Sequence, residues 1–242
     1  MYDIENYYNA STIEEAVRLL KEHPDTRVIS GGSDVLIKIR EGKMAGTSLV
    51  SIRDIKELNG ITKKENGDIY IGAGTTFSHI TNDPVIQENI PVLGEAVDQV
   101  GGPQIRNIGT IGGNICNGAV SADSAPTVFS LNALLRIEDG NGGRTVPVRD
   151  FYLGPGRVDL KRGEILTHVI IPAKEYQGYH GNYIKYSMRK AMDIATLSCS
   201  VVSKVNTEKN ILEDVRITFG VAAPVPFRCE KTEYLDRKST RL

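Results

Sequence analysis

The chain has 242 residues, 40% of them hydrophobic and 24% charged, with a formal net charge of −1 at pH 7. That composition suits a soluble globular protein of two or three compact units and gives no electrostatic footing for nucleic acid or a membrane surface. No apolar run approaches the ~20 residues of a membrane span, and the N-terminus, MYDIENYYNAS, has no basic stretch before an apolar core, which argues against a secretory signal.

The first helix is predicted from Ser11. Ser11 with Glu14, or Thr12 with Glu15, makes a capping box, and Ile13, Ala16, Val17 and Leu20 share one face. Thr26 to Ser30 reads as a strand, Gly31-Gly32-Ser33-Asp34 as a glycine turn, and Val35 to Ile39 as a helix start. Strand, turn and helix in that order present backbone N–H groups to an anion. Yet GGSD is neither GxGxxG nor GxxxxGK[ST], and on its own it is a tight turn with a helix cap. Leu49 to Ile52 closes a small βαβ-like unit over residues 1–58.

Asn66-Gly67 joins Gly60-Ile61-Thr62 to Asp68-Ile69-Tyr70-Ile71 as a hairpin. Helical spacing runs through Thr76, Phe77 and Ile80 and again from Val92 to Val100, interrupted by Asp83-Pro84 and Pro91. After a glycine-rich stretch, Asp123 or Ser124 caps a helix from Pro126 towards Ala133. Leu134 to Ile137 and Arg144 to Val148 form a hairpin, Asp150 to Gly156 a loop, and Glu164 to Ile171 a strand ended by Pro172. The middle unit therefore covers residues 59–172 with an α+β pattern. A third unit, residues 176–242, holds strands at Tyr183–Met188, Ala195–Val205 and Val215–Val221. Within it, Lys185 has the ordinary reading of a solvated strand lysine. The four histidines include no pair at helical spacing. Cys116, Cys199 and Cys229 have no CxxC spacing, so no zinc or iron–sulfur site is expected, and a reducing compartment, the cytoplasm, is.

The stretch Gly101 to Pro126, GGPQIRNIGTIGGNICNGAVSADSAP, is too long for a turn, and its glycines and prolines break helical and strand periods. Structureless segments of this length in compact domains are usually functional. Gly109, Gly112 and Gly113 would let successive N–H groups converge on a phosphate, with Thr110 adding a hydroxyl, Asn114 an amide, and Asp123 a carboxylate suited to ligand hydroxyls. An ordinary glycine-rich connection is the competing reading.

Gln104-Ile105-Arg106-Asn107, then Thr110, Gly112-Gly113-Asn114 and Asp123, resembles the flavin-binding subunits of the molybdenum hydroxylases. Asn114-Ile115-Cys116-Asn117-Gly118-Ala119, Met192-Asp193-Ile194 and Gly220-Val221-Ala222-Ala223-Pro224 are most similar to those of the bacterial xanthine dehydrogenases. The likeness runs from the first residues to about Glu230. It implies an α+β architecture: a two-subdomain FAD-binding fold of the PCMH/vanillyl-alcohol-oxidase-like type, followed by a smaller α+β C-terminal domain. It also implies that Ile29 and Gly31, Gly32, Ser33, Asp34 and Val35 meet the FAD pyrophosphate, together with Thr110, Gly113 and Asn114. Asp123 would accept from a ribityl or ribose hydroxyl, Val100 would touch the cofactor, and Leu166 and Lys185 would lie near the isoalloxazine, where a cation favours the anionic reduced form. The implied partners are a molybdopterin-containing catalytic subunit and an iron–sulfur subunit, in a heterotrimer that can dimerise, with NAD as electron acceptor.

Two departures stand out. Family members continue past the equivalent of Glu230 with a helical portion, whereas this chain carries a polar tail, Asp236 to Leu242, with no match; and some relatives carry a cysteine-bearing insertion in the middle domain, where this chain has Cys116 alone. The expected function is the flavin subunit of a molybdenum-containing xanthine dehydrogenase. The alternatives are a catalytically silent assembly subunit, a flavin subunit serving another substrate such as nicotinate, carbon monoxide or an aldehyde, and a free-standing flavin oxidase.

Overall fold

Short strands alternate with short helices, and the strands sort into three main sheets, seen in a computed structural model that describes residues 2–239. The first third is β1 (Ile4–Asn9), α1 (Ile13–Glu22), β2 (Thr26–Ile29), α2 (Val35–Arg40) and β3 (Thr47–Ser51), in a parallel sheet of order β1-β3-β2. Thr12 caps α1, its side chain accepting from the Glu15 N–H, while Glu15 accepts from the Ser11 N–H at 2.8 Å. The capping box is therefore the one centred on Thr12. Ala16, Val17 and Leu20 pack onto Val50, Ile52 and Leu58, as the helical spacing requires. Strand β1 was not foreseen. It is an edge strand whose residues 5–7 are all exposed, so no alternation marks it.

The middle of the chain begins with β4 (Ile61–Lys63) and β5 (Ile69–Gly72) and continues through α3 (Phe77–Asn82), α4 (Pro84–Asn89) and α5 (Pro91–Asp98). Pro84 and Pro91 each open a helix, where a missing N–H costs nothing. Then come α6 (Pro103–Arg106), α7 (Ile111–Asn117), α8 (Ser124–Ser130), β6 (Leu134–Glu138), β7 (Arg144–Pro147), α9 (Val148–Phe151), the small hairpin β8 (Tyr152–Gly154) with β9 (Arg157–Val158), and β10 (Ile165–Ile171). An antiparallel sheet of order β4-β5-β10-β6-β7 results, and Ile71, Val169 and Leu135 from it meet Phe77, Leu93, Ile111 and Val128 from the helices in the largest core.

Three expectations are corrected here. Gly101 to Pro126 is not structureless: it carries α6, α7 and the start of α8. Asp123 precedes α8 but its side chain caps nothing. Residues 150–156, expected as a loop, hold the end of α9 and the strand β8.

After α10 (Ala173–Tyr176), β11 (His180–Tyr186), β12 (Leu197–Asn206), β13 (Ile211–Gly220) and β14 (Phe227–Arg228) form an antiparallel sheet in that order, followed by α11 (Glu230–Ser239). The segment read as a polar tail thus continues α11 as far as Ser239, and residues 240–242 lie outside the described residues. The inner face of this sheet is unusually polar. Ser200 Oγ meets Ser130 Oγ of α8 at 2.9 Å, and Arg216 forms ion pairs with Glu175 and Asp214, each at 3.0 Å. Hydrogen bonds and charges thus do much of the docking that aliphatic side chains do elsewhere in the chain.

Candidate functional site

A cleft of about 1140 Å³ is walled by residues between 24 and 35, residues 43–47, residues between 109 and 117 and residues 160–166. Two glycine loops meet there. A Cβ on Gly31 would fall 2.6 Å from the carbonyl carbon of Ile108, and closer still to its oxygen, so only glycine lets the first loop touch the second. The second loop is anchored behind: the Phe77 N–H donates to Gly109 O and the Ile111 N–H to Thr75 O, both at 3.1 Å. A Cβ on Gly112 would lie 2.5 Å from Ala73 Cβ, so this glycine lets α7 start against the end of β5. Gly113 differs, since an added Cβ would meet only Thr110 Oγ1, at 3.0 Å, and otherwise faces open space.

Counting the N–H groups corrects the expected cradle. Gly109 donates to Ile105 O (2.6 Å), Gly112 to Ala73 O (2.9 Å), Gly113 to Thr110 Oγ1 (3.1 Å) and Asn114 to Thr110 O (3.0 Å). These donors are all engaged within the protein. In the first loop, by contrast, the N–H groups of Gly32, Ser33, Asp34 and Val35 find no acceptor among the described residues, and all four residues line the cleft. Gly32 makes this possible through a left-handed φ of 73°. Four successive free donors on a cleft wall make a receptor for an oxyanion. Thr26 adds, on the same wall, a buried hydroxyl with no partner among the described residues.

Of the residues expected at the site, Gly31, Gly32, Ser33, Asp34, Val35, Val100, Thr110, Gly113, Asn114 and Leu166 line this cleft. Ile29, Asp123 and Lys185 do not. Ile29 is buried in β2 behind the loop. Asp123 and Lys185 form a buried ion pair of 2.9 Å, with side-chain exposures of 7% and 6%. Tyr183 donates to the other Asp123 oxygen at 2.7 Å, and Lys185 also donates to Gln99 O at 2.9 Å. The solvated-lysine reading is therefore wrong for Lys185. Burial raises the Asp123 pKa against the opposing pull of Lys185 and Tyr183. Burial likewise pushes the Cys116 thiol up to about 12, which makes this cleft-wall cysteine an inert one. Sequence reasoning missed Lys38, Asn117, Thr26 and residues 160–165 on the wall. Lys38 lies one helical turn after Val35, a spacing that could have found it.

The family described as FAD binding domain in molybdopterin dehydrogenase matches residues 2–174, and the CO dehydrogenase flavoprotein C-terminal domain matches residues 182–235. The chain belongs to the FAD-binding subunits of the molybdenum hydroxylase family. A xanthine dehydrogenase FAD-binding subunit of Escherichia coli O157:H7 is 40% identical over 233 residues, which is 96% of this chain and 79% of that protein. The nicotinate dehydrogenase FAD-subunit of Eubacterium barkeri is 36% identical over 211 residues, 85% of this chain and 70% of that protein. Among solved structures, the carbon monoxide dehydrogenase of Hydrogenophaga pseudoflava superposes with a TM-score of 0.93 at 30% identity, covering 99% of this chain and 82% of that one. The flavoprotein subunit is thus an α+β oxidoreductase subunit whose cofactor is FAD. Its residues fit that group: the free N–H run from Gly32 to Val35 suits a diphosphate, the partnerless Thr26 hydroxyl suits a polar edge, and the open face at Gly113 leaves room for close approach.

Proposed function

We propose that this subunit is the flavin half of a molybdenum-containing xanthine dehydrogenase, working in the cytoplasm with a molybdopterin-containing subunit and an iron–sulfur subunit and delivering electrons to NAD. The observation that carries the xanthine assignment is the 40% identity to the E. coli xanthine dehydrogenase subunit across 96% of the chain, against 36% for the nicotinate and 33% for a carbon monoxide relative. Bound FAD supplies the redox chemistry, taking up electrons singly or in pairs and releasing them to a two-electron acceptor.

The chain's own residues bind and orient. Gly32 to Val35 would donate to the diphosphate; Gly31 lets the first loop lie against Ile108 of the second, Gly112 seats α7 against Ala73, and Gly113 leaves its face open. Leu166 and Val100 contribute apolar wall. In this reading Asp123 fixes the Lys185 ammonium near the end of β11, outside the lining of the cleft, so that its charge would act on the flavin only from a distance.

The test uses the FAD-loaded chain alone and with both partner subunits. Alone, it is expected to pass electrons from NADH to an artificial dye and to leave xanthine untouched. The reconstituted complex is expected to form NADH from xanthine. Xanthine oxidation by the isolated chain overturns the subunit reading, and a flavin-loaded chain inert to NADH overturns NAD as acceptor. A complex that turns over nicotinate but not xanthine moves the substrate to the related family branch.

A further inference from the structure

The cleft wall carries five basic residues, Arg27, Lys38, Lys43, Lys161 and Arg162. Four of them are exposed, and Lys43 is already bound to Glu41 at 2.8 Å. Lys38 alone of these is half-buried, and among the described residues it has no ion-pair partner. Its Nζ donates to a neutral group, Asn117 Oδ1, at 2.9 Å. That bond joins α2, which follows the first glycine loop, to the end of α7, which follows the second. The loops touch on one side through Gly31 and Ile108, and Lys38 and Asn117 tie their helices on another. Asp25, Asp34 and Glu164 also line the cleft, yet none of them pairs with Lys38 among the described residues, and an anion placed beside this half-buried cation would be favoured.

We infer that Lys38 is the charge partner of the FAD diphosphate, a cofactor-positioning residue that keeps its Asn117 bond and offers a remaining N–H to a phosphate oxygen. An ammonium has three donors, so the two contacts are compatible. The division of labour is then specific. The backbone N–H run supplies direction, and Lys38 supplies the one full positive charge that glycine loops lack. The inference rests on the assignment of this cleft to FAD.

The test titrates the full-length apo chain with FAD by flavin fluorescence quenching, using Lys38→Gln, Lys38→Arg and Gly113→Val variants. Lys38→Gln is expected to weaken FAD about ten- to a hundredfold, the range of a hydrogen bond to a charged group. ADP as a competitor, which carries the same diphosphate, should lose the same factor. Riboflavin, which carries none, should lose nothing. Lys38→Arg should restore most of the affinity, which also shows that loss in the glutamine variant is not misfolding. Lys38→Gln binding FAD as tightly as the parent, or weakening riboflavin equally, overturns the inference. Unchanged FAD binding in Gly113→Val overturns the cleft assignment itself, and the role of Lys38 with it. Loss in Gly113→Val with full retention in Lys38→Gln rejects Lys38 alone.

Discussion

Gly31→Ala is the sharpest probe of how the two loops are held. The residue has no left-handed backbone, so a methyl group there brings no conformational strain, and the effect is purely one of space. The added carbon would sit 2.6 Å from the Ile108 carbonyl carbon, which must retreat by 0.4 Å to reach 3.0 Å, and the oxygen, nearer still, by more. Both obstacles are backbone, and Ile108 is pinned by its own N–H to Ile105 O bond and, on the following residue, by the Gly109 N–H to Ile105 O and Phe77 N–H to Gly109 O bonds. Overpacking of this kind costs about 1–3 kcal/mol, and each kcal/mol lowers the midpoint of a domain this size by about 2–4 °C. Thermal unfolding of the apo chain should therefore fall by about 2–12 °C. Gly113→Ala is the matched control, because its Cβ meets only a hydroxyl at 3.0 Å. It should leave apo stability within about 0.5 kcal/mol of the parent while still disturbing FAD binding. Equal melting temperatures for Gly31→Ala and the parent would show that the loops do not touch as described.

Two further outcomes follow from the buried charges. Lys185→Met strands the Asp123 carboxylate with Tyr183 alone, so it should destabilise the chain by about 3–5 kcal/mol, and the Asp123→Asn, Lys185→Met double variant by clearly less; additive losses in chemical denaturation would remove the coupling. Lys185 does not line the cleft, so a lowered flavin midpoint potential in the single variant would be the sign that its charge reaches the flavin, and an unchanged potential would make the lysine purely structural. Glu164, though burial disfavours its charge, is held below the ordinary carboxylate range by the Arg144 fork and the Lys161 N–H. Because its folded pKa is depressed, its contribution to stability is full above its unfolded value, about 4.5, and is lost as pH falls through the folded one. The stability gap between the parent and Glu164→Gln, measured by urea unfolding, should close on acidification, and a gap that stays constant with pH contradicts this.

Where local chemistry decides structure, the sequence was transparent. Thr12 with Glu15, one of the two capping boxes expected, and the Asn66-Gly67 turn act over four residues or fewer and are found; Pro84 and Pro91, read only as interruptions, turn out to open α4 and α5. Strand β1 was invisible because an exposed edge strand needs no apolar alternation. Helix α7 was missed for the opposite reason. Gly112 and Gly113 in its first turn lower intrinsic helix propensity, but the Gly112 contact with Ala73 and the Thr110 cap compensate through tertiary structure that no local window contains. Asp123 looked like a helix cap and a ligand acceptor; a lysine and a tyrosine about 60 positions away claimed both its oxygens. The glycines of the cleft show why the site itself was only half legible. Gly31 and Gly112 are small because protein backbone or side chain crowds them, Gly32 because φ is positive, and Gly113 because the space before it is open. One letter thus serves three physical needs, and only the last two bear directly on a ligand. The sequence reading shared the phosphate contacts between both loops, whereas the N–H groups of the second loop are engaged within the protein. The donors without an acceptor among the described residues belong to Gly32 through Val35, a loop that residue types alone read as a tight turn and that only the family resemblance placed at the pyrophosphate.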